Sequence, residues 1–327
     1  MGVCGGISRL ATGVVVSILV ACHGPGPVPK GIGMSARGGN SGTPGASRRD
    51  ARNRNWRSPA ARWSGATKVE VQGHRGCRGL RPENTMAAFE HAAALGVDVL
   101  ELDLGLTRDG VLAVIHDPEI KPAICQGLDR LRSRRIRDLT FAELQTLDCG
   151  TRHNPKYPEQ KPVPGQRIPR LEQVLDLLAR NARLGANIEI KTSPDRPEGT
   201  LPPERFAEVL VPLIVERRLE KRVTVQSFDP RALRAVARLA RGRLTLAALA
   251  DRRADFDTMI RETGARILSP RHTELRREDV VRFHAREVRV IPWTVNEPAR
   301  MRELIEWGVD GIITDRPDRL LDLIGRR

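Results

Sequence analysis

Short runs of β-branched and other apolar residues alternate with longer segments of helical periodicity from residue 69 onward. Alternation of this kind is typical of parallel strands joined by crossover helices. Pro or Asn stands at the start of several of the longer segments, as expected at helix N-termini. The pattern predicts eight strands, at 69–73, 98–104, 187–191, 222–226, 244–249, 266–268, 288–293 and 311–314.

The helical segments fall between these strands, at 84–95, 171–183, 203–218, 230–240, 279–285 and 298–307. Residues 67–327 number 261, close to the roughly 250 residues of a (β/α)8 barrel. With 40% hydrophobic and 29% charged residues, the composition is that of a soluble globular protein and excludes a polytopic membrane protein. We therefore predict an α/β fold, a (β/α)8 TIM barrel, over residues 67–327.

The N-terminus reads as an export signal. A single basic residue, Arg9, precedes an apolar stretch that ends in LVAC at 19–22. The stretch is shorter than the about 20 apolar residues that span a bilayer. LVAC resembles the bacterial lipobox, which predicts removal of residues 1–21 and a lipid on Cys22. The alternative is an ordinary signal peptide with an incidental cysteine. The expected mature protein is a membrane-anchored lipoprotein that faces the periplasm or the cell exterior.

Residues 22–66 are rich in Gly, Pro, Ser, Ala and Arg and contain few bulky aliphatic residues, which predicts a flexible tether. Of the net charge of +15, +8 belongs to residues 1–66, which hold nine basic residues and one acidic residue. Juxtamembrane basic segments gain about 1 kcal/mol per charge near anionic lipid. A membrane surface is therefore the expected partner of the tether, and a solvated linker is the alternative. Nucleic acid is not expected, because few aromatic residues are available for base stacking.

The barrel rhythm is interrupted after the second predicted strand. Residues 111–115 predict an extra strand, and a stretch rich in Pro, Arg and Gln predicts a loop-rich insertion at about 118–169. Cys125 and Cys149 lie inside the insertion, and in an exported protein a disulfide is the expected state of such a pair. No His or Cys stands at zinc-like spacing from either residue. Cys77 is left over, as a bystander or as a reactive thiol.

The candidate chemistry lies at the C-terminal ends of the predicted strands, where barrels carry their catalytic groups. Residues two apart on a strand face the same way, so Glu101 points with Asp103, and Glu189 points with Lys191. Burying three carboxylates is costly without compensation, which predicts a hard divalent metal with oxygen ligands and a phosphate ligand. Two histidines suit the proton transfers of phosphodiester cleavage, and two cations suit the phosphate oxygens. These four residues are His74, His116, Arg75 and Lys191.

Four motifs carry a family resemblance: HRGCRGLRPENT at 74–85, ELDLGLTRDG at 101–110, HDP at 116–118 and EIK at 189–191. With QSF at 226–228, WTVN at 293–296 and GVDGIITD at 308–315, they resemble the glycerophosphodiester phosphodiesterase family over nearly all of 69–324. The resemblance implies a TIM-barrel hydrolase that uses one divalent cation, Ca2+ or Mg2+, to split a small glycerophosphodiester into glycerol 3-phosphate and an alcohol.

The resemblance also implies residue roles. It implies metal ligands at Glu101, Asp103 and Glu189, an acid and a base at His74 and His116, and substrate-binding residues at Arg75, Lys191, Glu83, Asn84, Phe228 and Trp293. The family reaction is usually drawn with attack by a glycerol hydroxyl on phosphorus, followed by opening of a cyclic phosphate by water. In this family the inserted segment overhangs the site and shapes the choice of head group.

Two other functions compete with this interpretation. The same chemistry could cut lysophospholipids in the manner of a phospholipase D. A non-catalytic binder of phosphorylated glycerol compounds is the other, although such a binder has no use for two rim histidines beside three carboxylates. Each motif alone could be structural, since an acid on a strand often only pairs with an arginine. Their joint occurrence in order at strand ends favours the enzyme.

Overall fold

The structure is a computed structural model, and it describes residues 69–326. The predicted signal peptide, the whole of the predicted tether and the predicted lipidation site Cys22 lie outside the described residues. Within 69–326, no helix is long and apolar enough to cross a membrane.

Within residues 69–326, nine strands form one sheet, of which eight run parallel. The strands are β1 (Glu70–Gly73), β2 (Val99–Leu106), β3 (Leu112–Val114), β4 (Gly185–Ile190), β5 (Val223–Ser227), β6 (Thr245–Ala250), β7 (Ile267–Pro270), β8 (Arg289–Val290) and β9 (Gly311–Thr314). Their order is β8-β7-β6-β5-β4-β2-β1-β9, and β3 pairs antiparallel with β2 at its side.

The two ends of this order meet through backbone hydrogen bonds. The N–H of Asp310 donates to the carbonyl of Val290 at 2.9 Å, and that of Ile313 donates to the carbonyl of Pro292 at 3.0 Å. The predicted TIM barrel is thereby confirmed. Strand β8 is shorter than the predicted 288–293, because Pro292 has no N–H to continue a regular ladder.

The helices surround the barrel and mostly match the predicted segments. They are α1 (Met86–Leu95), α2 (Phe141–Leu144), α3 (Leu171–Arg180), α4 (Pro203–Glu216), α5 (Pro230–Ala240), α6 (Phe256–Thr263), α7 (Arg277–His284), α8 (Pro298–Glu306) and α9 (Pro317–Leu323). Helices α2, α6 and α9 are not among the predicted segments, because each is short and offers little periodicity to recognise.

Alternation along the strands divides the side chains between two environments. On β2, Leu100, Leu102 and Leu104 are buried in the shell between strands and helices, so Glu101 and Asp103 point into the barrel. The interior itself has two sides. Beneath the site it is polar on β1, β4 and β5, with Gln72, Asn187 and Gln226. On β6 to β9 it is apolar, with Ala247, Ile267, Ile291 and Ile313.

The insertion between β3 and α3 has a small core of its own. Residues such as Ile120, Phe141 and Leu147 pack there around Cys125 and Cys149, which form a disulfide. Beside this disulfide, the backbones of residues 126 and 148 exchange two hydrogen bonds. The insertion is therefore an ordered lobe, although its sequence indicates mainly loops.

Replacing both half-cystines in the double variant Cys125→Ala/Cys149→Ala tests the role of this disulfide. A bridge across 24 residues limits the freedom of the unfolded chain, so its loss is expected to lower the free energy of unfolding by about 3 kcal/mol. Urea unfolding of oxidised wild type and of the double variant measures the change. Wild type in excess reductant is the matched comparison, because it lacks the disulfide but keeps both cysteines. An unchanged unfolding midpoint in the double variant would contradict the expectation.

Candidate active site

Three carboxylates meet at the C-terminal ends of β2 and β4. Asp103 pairs in register with Glu189 on the neighbouring strand, and Glu101 lies two residues earlier on the same face as Asp103. One oxygen from each of the three carboxylates lies within 4.8 Å of the others, and all three residues are buried. The sequence-predicted ligand set is thus brought together in one cluster.

The charges of this cluster are strongly perturbed. Burial, together with the neighbouring carboxylates, raises the pKa of Glu101 well above its usual range, and burial also raises the pKa of Glu189. Burial acts the same way on Asp103, but the charges of Lys191, His116 and Arg75 hold its pKa well below the usual range. Three acids so close together repel one another, so a bound cation would stabilise their charged forms.

The donor set fits a divalent cation. All three groups offer hard oxygen atoms, which Ca2+ and Mg2+ prefer. Asp103 Oδ1 is buried and has no hydrogen-bond donor; Lys191 Nζ lies 3.2 Å away as an ion-pair contact only. An oxygen left in this state inside a protein is costly, and a cation at the centre of the cluster would satisfy it.

Two positively charged side chains, Arg75 and Lys191, lie beside the carboxylates. Arg75 Nη1 donates to Glu83 Oε1 at 2.7 Å, and its Nε lies 3.3 Å from Asp103 Oδ2. Lys191 Nζ lies 2.7 Å from Glu189 Oε1. Although burial opposes it, the adjacent carboxylates raise the pKa of both Arg75 and Lys191, so both stay protonated.

The loop after β1 presents Arg75 through an uncommon backbone conformation. Arg75 has a φ of 51°, and its N–H donates to Glu101 Oε2 at 2.8 Å. The next residue, Gly76, has a φ of 84° and lies so close to α1 that a Cβ atom would come within 2.8 Å of Ala88. A side chain at position 76 would therefore push the loop away from the site.

His74 is held by an acid from the last strand. Its Nδ1 lies 2.6 Å from Asp315 Oδ1, just after β9, and its Nε2 lies 3.9 Å from Glu101 Oε2. Burial and the charge of Arg78 lower the pKa of His74 to about 3, against the opposing effect of Asp315. We infer a neutral ring that donates from Nδ1 to Asp315 and keeps Nε2 free on the side of the carboxylates.

His116 lies just beyond the end of β3. Its Nδ1 is 3.1 Å from Asp117 Oδ1, and its side chain is 28% exposed, against 11% for His74. The two imidazoles therefore differ in environment: one is buried and tightly held, and the other is accessible.

Most of these groups border one cavity of about 450 Å³. Of the sequence-predicted residues, it is lined by His74, Arg75, Glu101, His116, Glu189, Lys191, Phe228 and Trp293. The rings of Phe228 and Trp293 meet edge to face at 5.4 Å and form an aromatic wall. A second cavity of about 880 Å³ shares His116, Glu189, Lys191 and Phe228 with the first. It is also bordered by the start of the insertion, including Pro118, Glu119 and Lys121, and by the loop after β4.

Glu83 and Asn84 occupy supporting positions. Glu83 holds Arg75, and Asn84 Nδ2 donates to Asp103 Oδ2 at 2.8 Å. In this structure both side chains contact other site residues and orient them for the cavity.

Three site residues received no role from the sequence. Arg78 lines the cavity, and its Nε donates to Asp315 Oδ1 at 2.6 Å. Gln226 lines the cavity and donates to Glu101 Oε1 at 2.9 Å. Asp315 and Gln226 do stand at or near strand C-terminal ends, which is the signal that could have identified them.

Sequence comparison agrees with this geometry. Residues 74–319 match the model of the glycerophosphoryl diester phosphodiesterase family. A glycerophosphodiester phosphodiesterase of Caldanaerobacter subterraneus is 35% identical over 263 residues, which cover 79% of this chain and 98% of the relative. One from Bacillus altitudinis is 34% identical over 259 residues, which cover 78% of this chain and 98% of the relative.

Solved structures share the fold. A crystal structure described as a glycerophosphoryl diester phosphodiesterase from Silicibacter pomeroyi superposes with a TM-score of 0.73 at 29% identity, over 80% of this chain and 94% of that one. An Oleispira antarctica phosphodiesterase in complex with the product sn-glycerol-3-phosphate has a TM-score of 0.68 at 20% identity, over 82% and 100% of the two chains. With its barrel, its motifs and these relatives, the chain belongs to the glycerophosphoryl diester phosphodiesterase family and is a phosphodiester hydrolase.

Proposed function

We propose that this enzyme cleaves glycerophosphodiesters to glycerol 3-phosphate and an alcohol with the aid of one divalent cation, Ca2+ or Mg2+, and two histidines. The observation that carries the proposal is the cluster of three buried carboxylates beside a cavity that is lined by two imidazoles and by the positively charged side chains of Arg75 and Lys191. The glycerol 3-phosphate bound by the Oleispira antarctica phosphodiesterase, which shares the fold, supports the same product class.

Glu101, Asp103 and Glu189 would hold the cation. When bound, the cation would neutralise these carboxylates and withdraw electron density from a phosphate oxygen. Arg75 and Lys191 stay charged beside them and would bind the non-bridging oxygens, where negative charge develops as the ester bond breaks.

The two histidines would move the protons. One imidazole accepts the proton of the attacking glycerol hydroxyl, and the other gives a proton to the oxygen of the departing alcohol. The phosphorus–oxygen bond to that alcohol breaks as the new bond to the glycerol hydroxyl forms. Water then opens the cyclic phosphate, and the imidazoles exchange roles. Asp315 keeps His74 oriented, which supports its use as a proton-transfer group.

We also propose that the enzyme is exported and anchored by a lipid on Cys22, with residues 22–66 as the tether to a membrane surface. The support is the sequence alone: the LVAC ending of the apolar stretch and the basic, Gly- and Pro-rich segment that follows.

The direct test is release of glycerol 3-phosphate by the full-length chain, purified in detergent, from glycerophosphocholine, glycerophosphoethanolamine and glycerophosphoglycerol. We expect release with Ca2+ or Mg2+ and none with EDTA, because the three carboxylates would repel each other and the substrate without a cation. Release that persists in EDTA would contradict the metal-dependent proposal. Cleavage confined to lysophospholipids, with acyl glycerol phosphate as product, would favour the phospholipase D alternative.

Two histidine variants, His116→Ala and His153→Ala, distinguish an enzyme from a non-catalytic binder in the same assay. His116→Ala is expected to lower kcat by about 100-fold or more while the protein still binds glycerol 3-phosphate, because a proton-transfer group is lost. His153→Ala, on the exposed surface of the insertion, is the matched control and should behave as wild type.

Asp315→Asn tests the support of His74. An amide in this place would present a donor or a weaker acceptor to Nδ1, so the ring would lose its preferred tautomer, and kcat should fall by about 100-fold. The matched control is Asp279→Asn, because Asp279 is also buried and also pairs with arginine, in its case Arg253 and Arg282, but lies on α7. Equal losses in the two variants would indicate a general effect on stability and contradict the assignment.

A further inference from the structure

A chain of hydrogen bonds runs through the barrel from its N-terminal end to the carboxylate cluster. Gln72 Nε2 donates to Glu70 Oε1 at 2.6 Å. Asn187 Nδ2 donates to Gln72 Oε1 and to Gln226 Oε1, both at 2.9 Å. Gln226 Nε2 then donates to Glu101 Oε1 at 2.9 Å. Four side chains on three strands thus connect the opposite end of the barrel with a predicted metal ligand.

Glu70, at the far end, determines the donor-to-acceptor direction of this series of hydrogen bonds. Glu70, which also pairs with Arg289 at 3.1 Å, can only accept, so Gln72 must turn its NH2 group toward it. The oxygen of Gln72 then faces Asn187, which must supply both of its N–H groups to its two neighbours. As a result, Gln226 presents its own NH2 group to Glu101.

This order matters for Glu101 because both of its oxygens are held by donors. Oε2 accepts from the N–H of Arg75 at 2.8 Å, and Oε1 accepts from Gln226. A reversed Gln226 amide would instead bring its oxygen against the carboxylate and turn it away or favour its protonation. Partners of this kind set the orientation of ligating groups and commonly alter metal affinity about 10- to 100-fold.

Amides are one of two kinds of side chain that fill the described barrel interior. The other side of the same interior is filled by apolar side chains, including Ile267, Ile291 and Ile313. The amide chain also carries a cost, because Asn187 Oδ1 is buried without a hydrogen-bond partner. A polar arrangement that costs stability and ends on a metal ligand points to a role in the site.

We propose that Asn187 and Gln226 are positioning residues that orient Glu101 for the divalent cation through this directed chain from Glu70. The inference rests on the metal site of the proposed function. Neither Asn187 nor Gln226 is proposed to bind the metal itself.

The experiment measures metal affinity directly, without turnover. Full-length chain, depleted of metal with EDTA and dialysed, is titrated with Ca2+ and separately with Mg2+ by calorimetry. Asn187→Leu, which removes both amide donations and keeps a similar volume, should weaken the binding by about 10-fold or more. Gln226→Met, which removes the donor next to Glu101, should weaken it at least as much, and provides the test if Asn187→Leu does not fold.

Gln160→Leu is the matched control. Gln160 is a buried amide that donates to the carbonyls of Arg78 and Arg81, at 2.6 and 3.2 Å, and has no bond to the carboxylates. Its variant should bind metal like wild type. Circular dichroism and unfolding midpoints establish that each variant is folded.

Wild-type affinity in folded Asn187→Leu and Gln226→Met would overturn the inference, as would an equal loss in Gln160→Leu. A wild-type chain that binds neither cation would overturn the metal site and this inference together. The third outcome is that wild type binds metal, Asn187→Leu and Gln226→Met bind it more weakly, and wild type releases no glycerol 3-phosphate. This outcome would support the inference and overturn the proposed function alone.

Discussion

The burial of three carboxylates at one point is the constraint on which the site depends. Glu101, Asp103 and Glu189 are each no more than 5% exposed, and charges held so far from water need compensation. The surrounding residues supply part of it. Arg75 contributes positive charge beside Asp103, and Lys191 contributes it beside Asp103 and Glu189. Asn84 donates an N–H to Asp103, and Gln226 donates one to Glu101. The remaining negative charge is what makes the cluster suited to a divalent cation.

The barrel explains how such a cluster can form at all. Parallel strands end at the same rim, so acids on β2 and β4, about 90 residues apart in sequence, become neighbours in register. The same alternation that directs them inward sends the leucines of β2 outward into the apolar shell, which holds the strands in place. Stability and chemistry therefore use opposite faces of the same strands.

Closure of the barrel completes the site. Because β1 pairs with β9, Asp315 reaches His74 across 241 residues of sequence, and Arg78 binds the same carboxylate. The insertion adds a second border through Pro118, Glu119 and Lys121, which line a cavity that shares His116 and Lys191 with the first. Its disulfide and small core hold this border in place, so the shape of the second cavity depends on a lobe outside the barrel repeat.

The sequence by itself determined the eight-strand pattern, the barrel and the family, because hydrophobic alternation and motifs at strand ends are local properties of the chain. It also predicted the acids, the imidazoles and the positively charged side chains that the structure brings together at one site, because two-residue spacing on a strand sets a common face. Only the tertiary structure decided that Asp315 holds His74, that Glu83 and Asn84 support other site residues, and that amides on three strands connect Glu70 with Glu101. Those contacts depend on strand register, barrel closure and side-chain direction, and no local pattern encodes the distance between side chains such as those of His74 and Asp315, which are 241 positions apart.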